Sequence, residues 1–273
     1  MRRKRSLPPG WYPARETEVR DLLGSWEDEI PAADREFLAV VVPHAGWAFS
    51  GRIAFRLIRM LDVPVDTVVV AGGHLRPGDP LMLSPETDYE TPLGDLARDD
   101  ELARHLADSF ETAADAAVDN TVEVQLPIVR YLFPRSRVVC LRCPPGPLSA
   151  QAGAAIADYA IAHGRRVRLV GSTDLTHYGP AYGFAPAGRG PQAVAWVRDE
   201  NDRAIVESMT RMDAQETVRL GNETRAACSS GAAAAAIGFA RTLGSSAGRL
   251  IEYAQSYDVR PDASFVGYAG VGF

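Results

Sequence analysis

Three of the five histidines in this 273-residue chain occupy the same kind of position. His44 follows Val40-Val41-Val42-Pro43. His74 follows Val68-Val69-Val70-Ala71-Gly72-Gly73. His177 follows the apolar run 167–170 and the segment Gly171-Ser172-Thr173-Asp174-Leu175-Thr176. Each apolar run reads as a buried strand, and each histidine comes where that strand ends. In open α/β sheets ligands bind outside the carboxyl ends of the strands, so the three rings can converge there. Neutral imidazole ligates Fe(II), Zn(II) and Cu(II), and it exchanges protons near neutral pH. Cys228 adds a thiol at the start of an alanine-rich helix. A helix N-terminus favours thiolate, the form that binds metal; a small buried residue is the plainer alternative. Asp174 lies three residues before His177 and either orients its ring or caps the following turn.

The remaining candidates are weaker. His105 and His163 sit in helical stretches with no motif around them and read as ordinary surface or helix-end residues. Cys140 and Cys143 form a C-x-x-C, which suggests metal or redox chemistry. They lie in Arg137-Val138-Val139-Cys140-Leu141-Arg142-Cys143, however, which reads as a strand. Residues three apart on a strand point to opposite faces, so the pair is set aside. A reducing, cytoplasmic home is the simplest inference from this cysteine usage.

The elements that must position these residues alternate along the chain. Apolar patterning predicts helices over 16–26, 52–61, 100–110, 150–163, 192–209, 214–220 and 232–243. A further helix over 121–133 is kinked or started by Pro127. Strands are expected over 37–42, 67–70, 137–141, 167–170, 249–254 and 265–269, with an edge strand within 81–89. Residues 180–191, rich in Gly, Pro and aromatics, read as a surface or lid loop. The alternation predicts an α/β fold with a central, mostly parallel or mixed sheet and helices on both faces. One domain spanning 1–273 is expected, with residues 1–9 as a flexible N-terminal arm.

Composition narrows the function classes. Hydrophobic content of 46% and charged content of 23% are ordinary for a soluble globular protein. A net charge of −6 argues against nucleic acid as a partner. No run approaches the roughly 18 apolar residues of a membrane helix. Arg2-Arg3-Lys4-Arg5 is followed by Ser6-Leu7-Pro8-Pro9, where a signal peptide would need an apolar stretch.

Taken in order, the motifs Gly10-Trp11-Tyr12-Pro13, Pro43-His44-Ala45-Gly46, Gly72-Gly73-His74, Thr91-Pro92-Leu93-Gly94-Asp95, Glu123-Val124-Gln125-Leu126-Pro127, Ser172-Thr173-Asp174-Leu175-Thr176-His177-Tyr178-Gly179 and the late Cys228 stand over nearly the whole chain. They resemble those of the Memo family, including the bacterial Memo-like proteins of the AmmeMemoRadiSam system. The resemblance implies a fold similar to the class III extradiol dioxygenases. It implies His44, His74 and Cys228 as metal ligands, with Cys228 standing where those dioxygenases carry a carboxylate. It further implies His177 as acid/base with Asp174 beside it, and Thr91, Asn120 and Tyr178 lining the pocket. The chain departs from the family pattern at Asp119-Asn120-Thr121, where Glu-His-Ser is usual. Asn120 donates hydrogen bonds but cannot shuttle a proton near neutral pH.

Two imidazoles and a thiolate leave coordination positions open, as O₂ or substrate activation requires. The resulting expectation is a mononuclear non-haem Fe(II) oxidoreductase of dioxygenase type, acting on a small molecule, with O₂ as a candidate co-substrate. Thiolate softness keeps Cu or Zn as alternatives. Two other readings stand beside it: a non-catalytic peptide- or ligand-binding module, and an iron- or copper-handling protein. In bacteria the family also implies AMMECR-type and radical SAM pathway partners.

Overall fold

The computed structural model describes residues 1–31 and 36–273. Its centre is a nine-stranded mixed sheet in the order Thr112–Ala114, Leu81–Leu83, Arg137–Arg142, Thr67–Gly72, Val167–Ser172, Ala39–Val42, Phe265–Gly272. The short strand His177–Tyr178 and the strand Arg249–Gln255 both pair with Phe265–Gly272. The four strands from Arg137–Arg142 to Ala39–Val42 run parallel. They read as near-continuous apolar runs because both of their faces are covered. Val40, Val42, Val68, Val70, Val138 and Val170 pack into one layer. Ala39, Val41, Val69, Val139 and Leu169 pack into the other. The same alternation separates Cys140 from Cys143, which lie in opposite layers as free buried thiols.

Helices Glu16–Glu29, Trp47–Arg59 and Leu126–Leu132 cover the first face. Pro147–Ala162, Asp202–Thr210 and Ser230–Thr242 cover the second. Two glycines let this second layer close tightly. A Cβ at Gly153 would lie 2.0 Å from the carbonyl oxygen of Ala235, and one at Gly171 would lie 2.6 Å from that of Ala232. Helix Ser230–Thr242 is thereby drawn down onto strand Val167–Ser172, and the segment preceding it, Cys228-Ser229, lands at that strand's carboxyl end. Among the described residues no helix is long and apolar enough to cross a membrane.

Several elements differ from the sequence expectation. The helix placed at 52–61 begins at Trp47, directly after Gly46, because the Trp47 amide is bonded to the carbonyl of Trp11 at 2.8 Å. The 121–133 helix is two pieces, Asn120–Glu123 and Leu126–Leu132, with Pro127 in the first turn of the second. The 192–209 helix is interrupted by a π-turn over Val197–Asn201. The 214–220 helix runs through Gly221 to Thr224 and stops at Arg225, in left-handed conformation. Only Leu81–Leu83 of the 81–89 segment joins the main sheet; Asp88–Tyr89 pairs instead with Arg2–Arg3 and Leu96–Ala97.

That last pairing corrects the picture of a free arm. Residues 1–9 are tied down along the molecule. Arg3 donates to the carbonyls of Asp115 and Ala117. Buried Glu123 accepts from the amides of Ser6 and Leu7, each at 3.0 Å, from the Ser6 hydroxyl, and from Tyr12 Oη at 2.9 Å. Composition marks such a segment as polar, but the partner that holds it lies more than a hundred residues away.

Candidate metal centre

Strand Ala39–Val42 delivers His44 into the crevice, where the ring is only 1% exposed. Its backbone amide donates to Asp174 Oδ1 at 2.7 Å. Its Nδ1 lies 3.3 Å from Ser172 Oγ, which in turn accepts from Gln125 Nε2 at 3.2 Å. Gln125 Nε2 also donates to the Pro43 carbonyl at 2.8 Å, and Asn120 Nδ2 to the His44 carbonyl at 3.0 Å. Asn120 thus acts as a brace for the histidine loop. With Nδ1 turned to Ser172, the other nitrogen, Nε2, lies 3.2 Å from Cys228 Sγ.

His74 leaves strand Thr67–Gly72 with φ of 58°, a left-handed conformation uncommon for a residue with a side chain. Its Nδ1 is 3.0 Å from Asp119 Oδ2. Asp119 is itself held by the Thr121 amide at 2.9 Å, the Thr121 hydroxyl and Arg142 Nη1 at 3.4 Å. Buried Arg142 is clamped bidentately by Asp115, at 2.8 and 3.0 Å. This chain fixes which nitrogen of His74 faces the centre. It also brings the ring edge-on to that of His44, with centroids 5.1 Å apart.

Cys228 closes the triad. Its amide donates to the Asp174 carbonyl at 3.2 Å, and the Ser229 amide donates to Thr173 Oγ1 at 3.0 Å, pinning the helix entry to the strand end. One donor atom from each of His44, His74 and Cys228 lies within 4.8 Å of the others. Donors about 2.1 and 2.3 Å from a shared tetrahedral cation lie roughly 3.6 Å apart, so the spacing suits one ion. His177 faces the triad from strand His177–Tyr178. Its Nε2 is buried without a hydrogen-bond partner among the described residues, 3.7 Å from Asp174 Oδ2. The Tyr182 ring, from the 180–191 loop, packs against it at 4.8 Å. The preceding Thr176 is held by Asp202, whose carboxyl burial pushes up to about 7.

The electrostatics follow from crowding a thiol among three imidazoles. Burial by itself would raise the Cys228 pKa. The charge of His44 and the closeness of the His177, His44 and His74 rings outweigh it and hold the thiol well below its ordinary value. Burial would lower His74, but Asp119 and Cys228 carry it up to about 10. His177 is likewise carried up to about 10, against burial, by Asp174 and Cys228. Asp119, although burial opposes it, is held down at about 2 by His74 and Thr121. Proximity thus favours the thiolate of Cys228 beside a raised His74, and a cation on His44, His74 and Cys228 would take the place of protons at those ligand atoms.

A cleft of about 710 Å³ opens above the triad, lined by His44, His74, Asn120, Asp174 and His177, with Trp11 and Phe49 on its rim. Two expected lining residues are elsewhere. Thr91 is buried in the 91–94 turn, bonded to the Gly94 carbonyl and the Leu93 amide. Tyr178 points away into a separate cluster, stacked on Phe265, with its hydroxyl bonded to Gly188 and Ala187. Membership in a motif gave no information on side-chain direction, and Tyr178, adjacent to His177 on an extended strand, must face the opposite way. His105 and His163 stay outside the site, both packed on Tyr159. Asp119, Gln125 and Arg142 are not singled out in the sequence as site residues. Asp119 falls in the segment that departs from the family pattern and Gln125 in the Glu123–Pro127 motif, but neither place gives a role.

Asp119→Asn is expected to weaken binding of a transition-metal ion about 10–100-fold, the usual effect of losing the carboxylate behind a ligating histidine. Calorimetric titration with Zn(II), on variant protein of unchanged circular dichroism, checks this.

The profile of the Memo-like protein family matches residues 3–272. A MEMO1 family protein of Thermococcus onnurineus is 30% identical over 291 residues, covering 100% of this chain and 99% of the relative. One from Pyrococcus abyssi is 31% identical over 280 residues, covering 96% and 95%. The crystal structure of an uncharacterized protein from Escherichia coli K12 shares the fold, with a TM-score of 0.55 at 13% identity over 87% of this chain and 100% of that one. The chain belongs to the Memo-like protein family.

Proposed function

We propose that this protein holds a single transition-metal ion on His44, His74 and Cys228 and uses it as a non-haem Fe(II) oxidoreductase of dioxygenase type on a small molecule. The observation that carries the reading is the convergence of three donor atoms within 4.8 Å beside an open cleft lined by His44 and His74, faced by His177, whose Nε2 has no hydrogen-bond partner among the described residues. When bound, such an ion supplies open coordination positions at which O₂ and substrate can be activated. The protein's own residues do the rest. Asp119 and Ser172 set the rings of His74 and His44. His177 carries a proton at Nε2, with Asp174 beside it, and can deliver it to a group in the cleft, a contribution of roughly 10²–10⁴-fold. Asn120, in the place of the family histidine, braces the His44 carbonyl and moves no proton.

A second reading, metal handling without turnover, is favoured by that same loss of a proton-transfer group at Asn120. Protein purified without oxygen separates the two. The oxidoreductase reading expects about one iron per chain and O₂ uptake when a catechol is added. Stoichiometric metal with no O₂ uptake across a panel of catechols and related phenols would favour handling.

A further inference from the structure

The cleft above the triad does not end at its own wall. Pro9, Gly10, Trp11, Ala48 and Phe49 line both this cleft and a second groove of about 970 Å³, so the two spaces adjoin at these residues. The chemistry changes on passing between them. The first space is lined by the imidazoles of His44, His74 and His177 and the carboxylate of Asp174. The second is lined by Tyr12, Leu22, Trp26, Trp47, Ile53 and Val259. The charged groups at its edge are already engaged: Glu18 with Arg15, and Arg52 with Glu29 and Glu252. Phe49 and Val259 stay 37% and 58% exposed along it. The wall is built rather than frayed, because Glu123 fastens Ser6, Leu7 and Tyr12 and the Trp47 amide holds the Trp11 carbonyl.

We propose that the substrate of this centre is an elongated amphiphile, whose polar reacting end meets His44, His74 and Cys228 and whose unbranched hydrocarbon chain lies along the groove. The proposal rests on the metal reading of the triad and adds the chemical class of its ligand. The adjacency of the two spaces, which share Trp11 and Phe49, carries it. A molecule that filled only the polar cleft would leave an aromatic trough wet beside it. A chain leaving the cleft past Trp11 and Phe49 would bury its methylenes there, each tightening binding about fourfold.

Acetohydroxamate and octanohydroxamate, which share a metal-chelating head, test this on Zn(II)-loaded protein by calorimetry. Octanohydroxamate is expected to bind at least a hundredfold more tightly. Val259→Asp, at an exposed groove position away from the triad, is expected to remove at least tenfold of that gain while leaving acetohydroxamate unchanged. Equal affinity for the two chain lengths, or a gain insensitive to Val259→Asp, overturns the groove assignment. If the protein retains no Zn(II), the metal reading fails separately. Octanoate quenching of the Trp11, Trp26 and Trp47 fluorescence then decides the groove: a saturable response lost in Val259→Asp supports it, and no response overturns it.

Discussion

His44→Ala and Cys228→Ala are each expected to lower transition-metal affinity roughly a thousandfold while the chain stays folded. Closed structural zinc sites bind with roughly 10–16 kcal/mol at neutral pH, so one donor of such a set is worth about 4 kcal/mol, which is the loss expected on removing one of three here. The fold tolerates the change because the ties that shape the loops run through other atoms. Asp174 accepts from the His44 backbone amide, and the Ser229 amide holds Thr173 at 3.0 Å, closer than the 3.9 Å contact of the Cys228 thiol. Competition with a chromophoric chelator reports the affinity, and circular dichroism reports the fold. Affinity as tight as in the native protein in both variants would mean that the ion sits elsewhere.

Gly153→Ala is expected to destabilise the protein by about 3 kcal/mol, with a melting temperature lower by roughly 5–10 °C. The new methyl would lie 2.0 Å from the Ala235 carbonyl oxygen, 2.9 Å from the Ala235 carbonyl carbon and 2.9 Å from the Phe239 amide nitrogen. These are backbone atoms of a facing helix, so no side-chain rotation relieves the clash; helices Pro147–Ala162 and Ser230–Thr242 must separate. That displacement reaches the site, because the second helix comes directly after Cys228-Ser229. Gly146→Ala is the control, since a Cβ there has nothing within 4 Å. Equal melting temperatures for the two variants, measured by differential scanning calorimetry, would show that the interface is not packed as described.

The legible part of this fold was the part dictated by burial and period. Runs such as Val40–Val42 and Val68–Val70 can only be strands covered on both faces, and the residues after them must emerge at the crevice. His44, His74 and His177 were visible for that reason, and so was the separation of Cys140 from Cys143 across the sheet. Long-range pairings were not legible. Nothing near Ser6 announces Glu123, and nothing near His74 announces Asp119, because those contacts are set by how a loop from another part of the chain lands. Thr91 and Tyr178 were misplaced for a related reason. The sequence indicated that each lay close to the site, but the backbone direction at a turn or on a two-residue strand decides where a side chain points.

The central claim, one metal ion on His44, His74 and Cys228, is tested most directly by anomalous X-ray diffraction at the iron edge on crystals of protein purified without oxygen. The account predicts a single strong peak about 2.0–2.4 Å from His44 Nε2, His74 Nε2 and Cys228 Sγ, on the cleft side facing His177. A fully occupied site bound to other residues, or no anomalous peak at any first-row transition-metal edge, would contradict it.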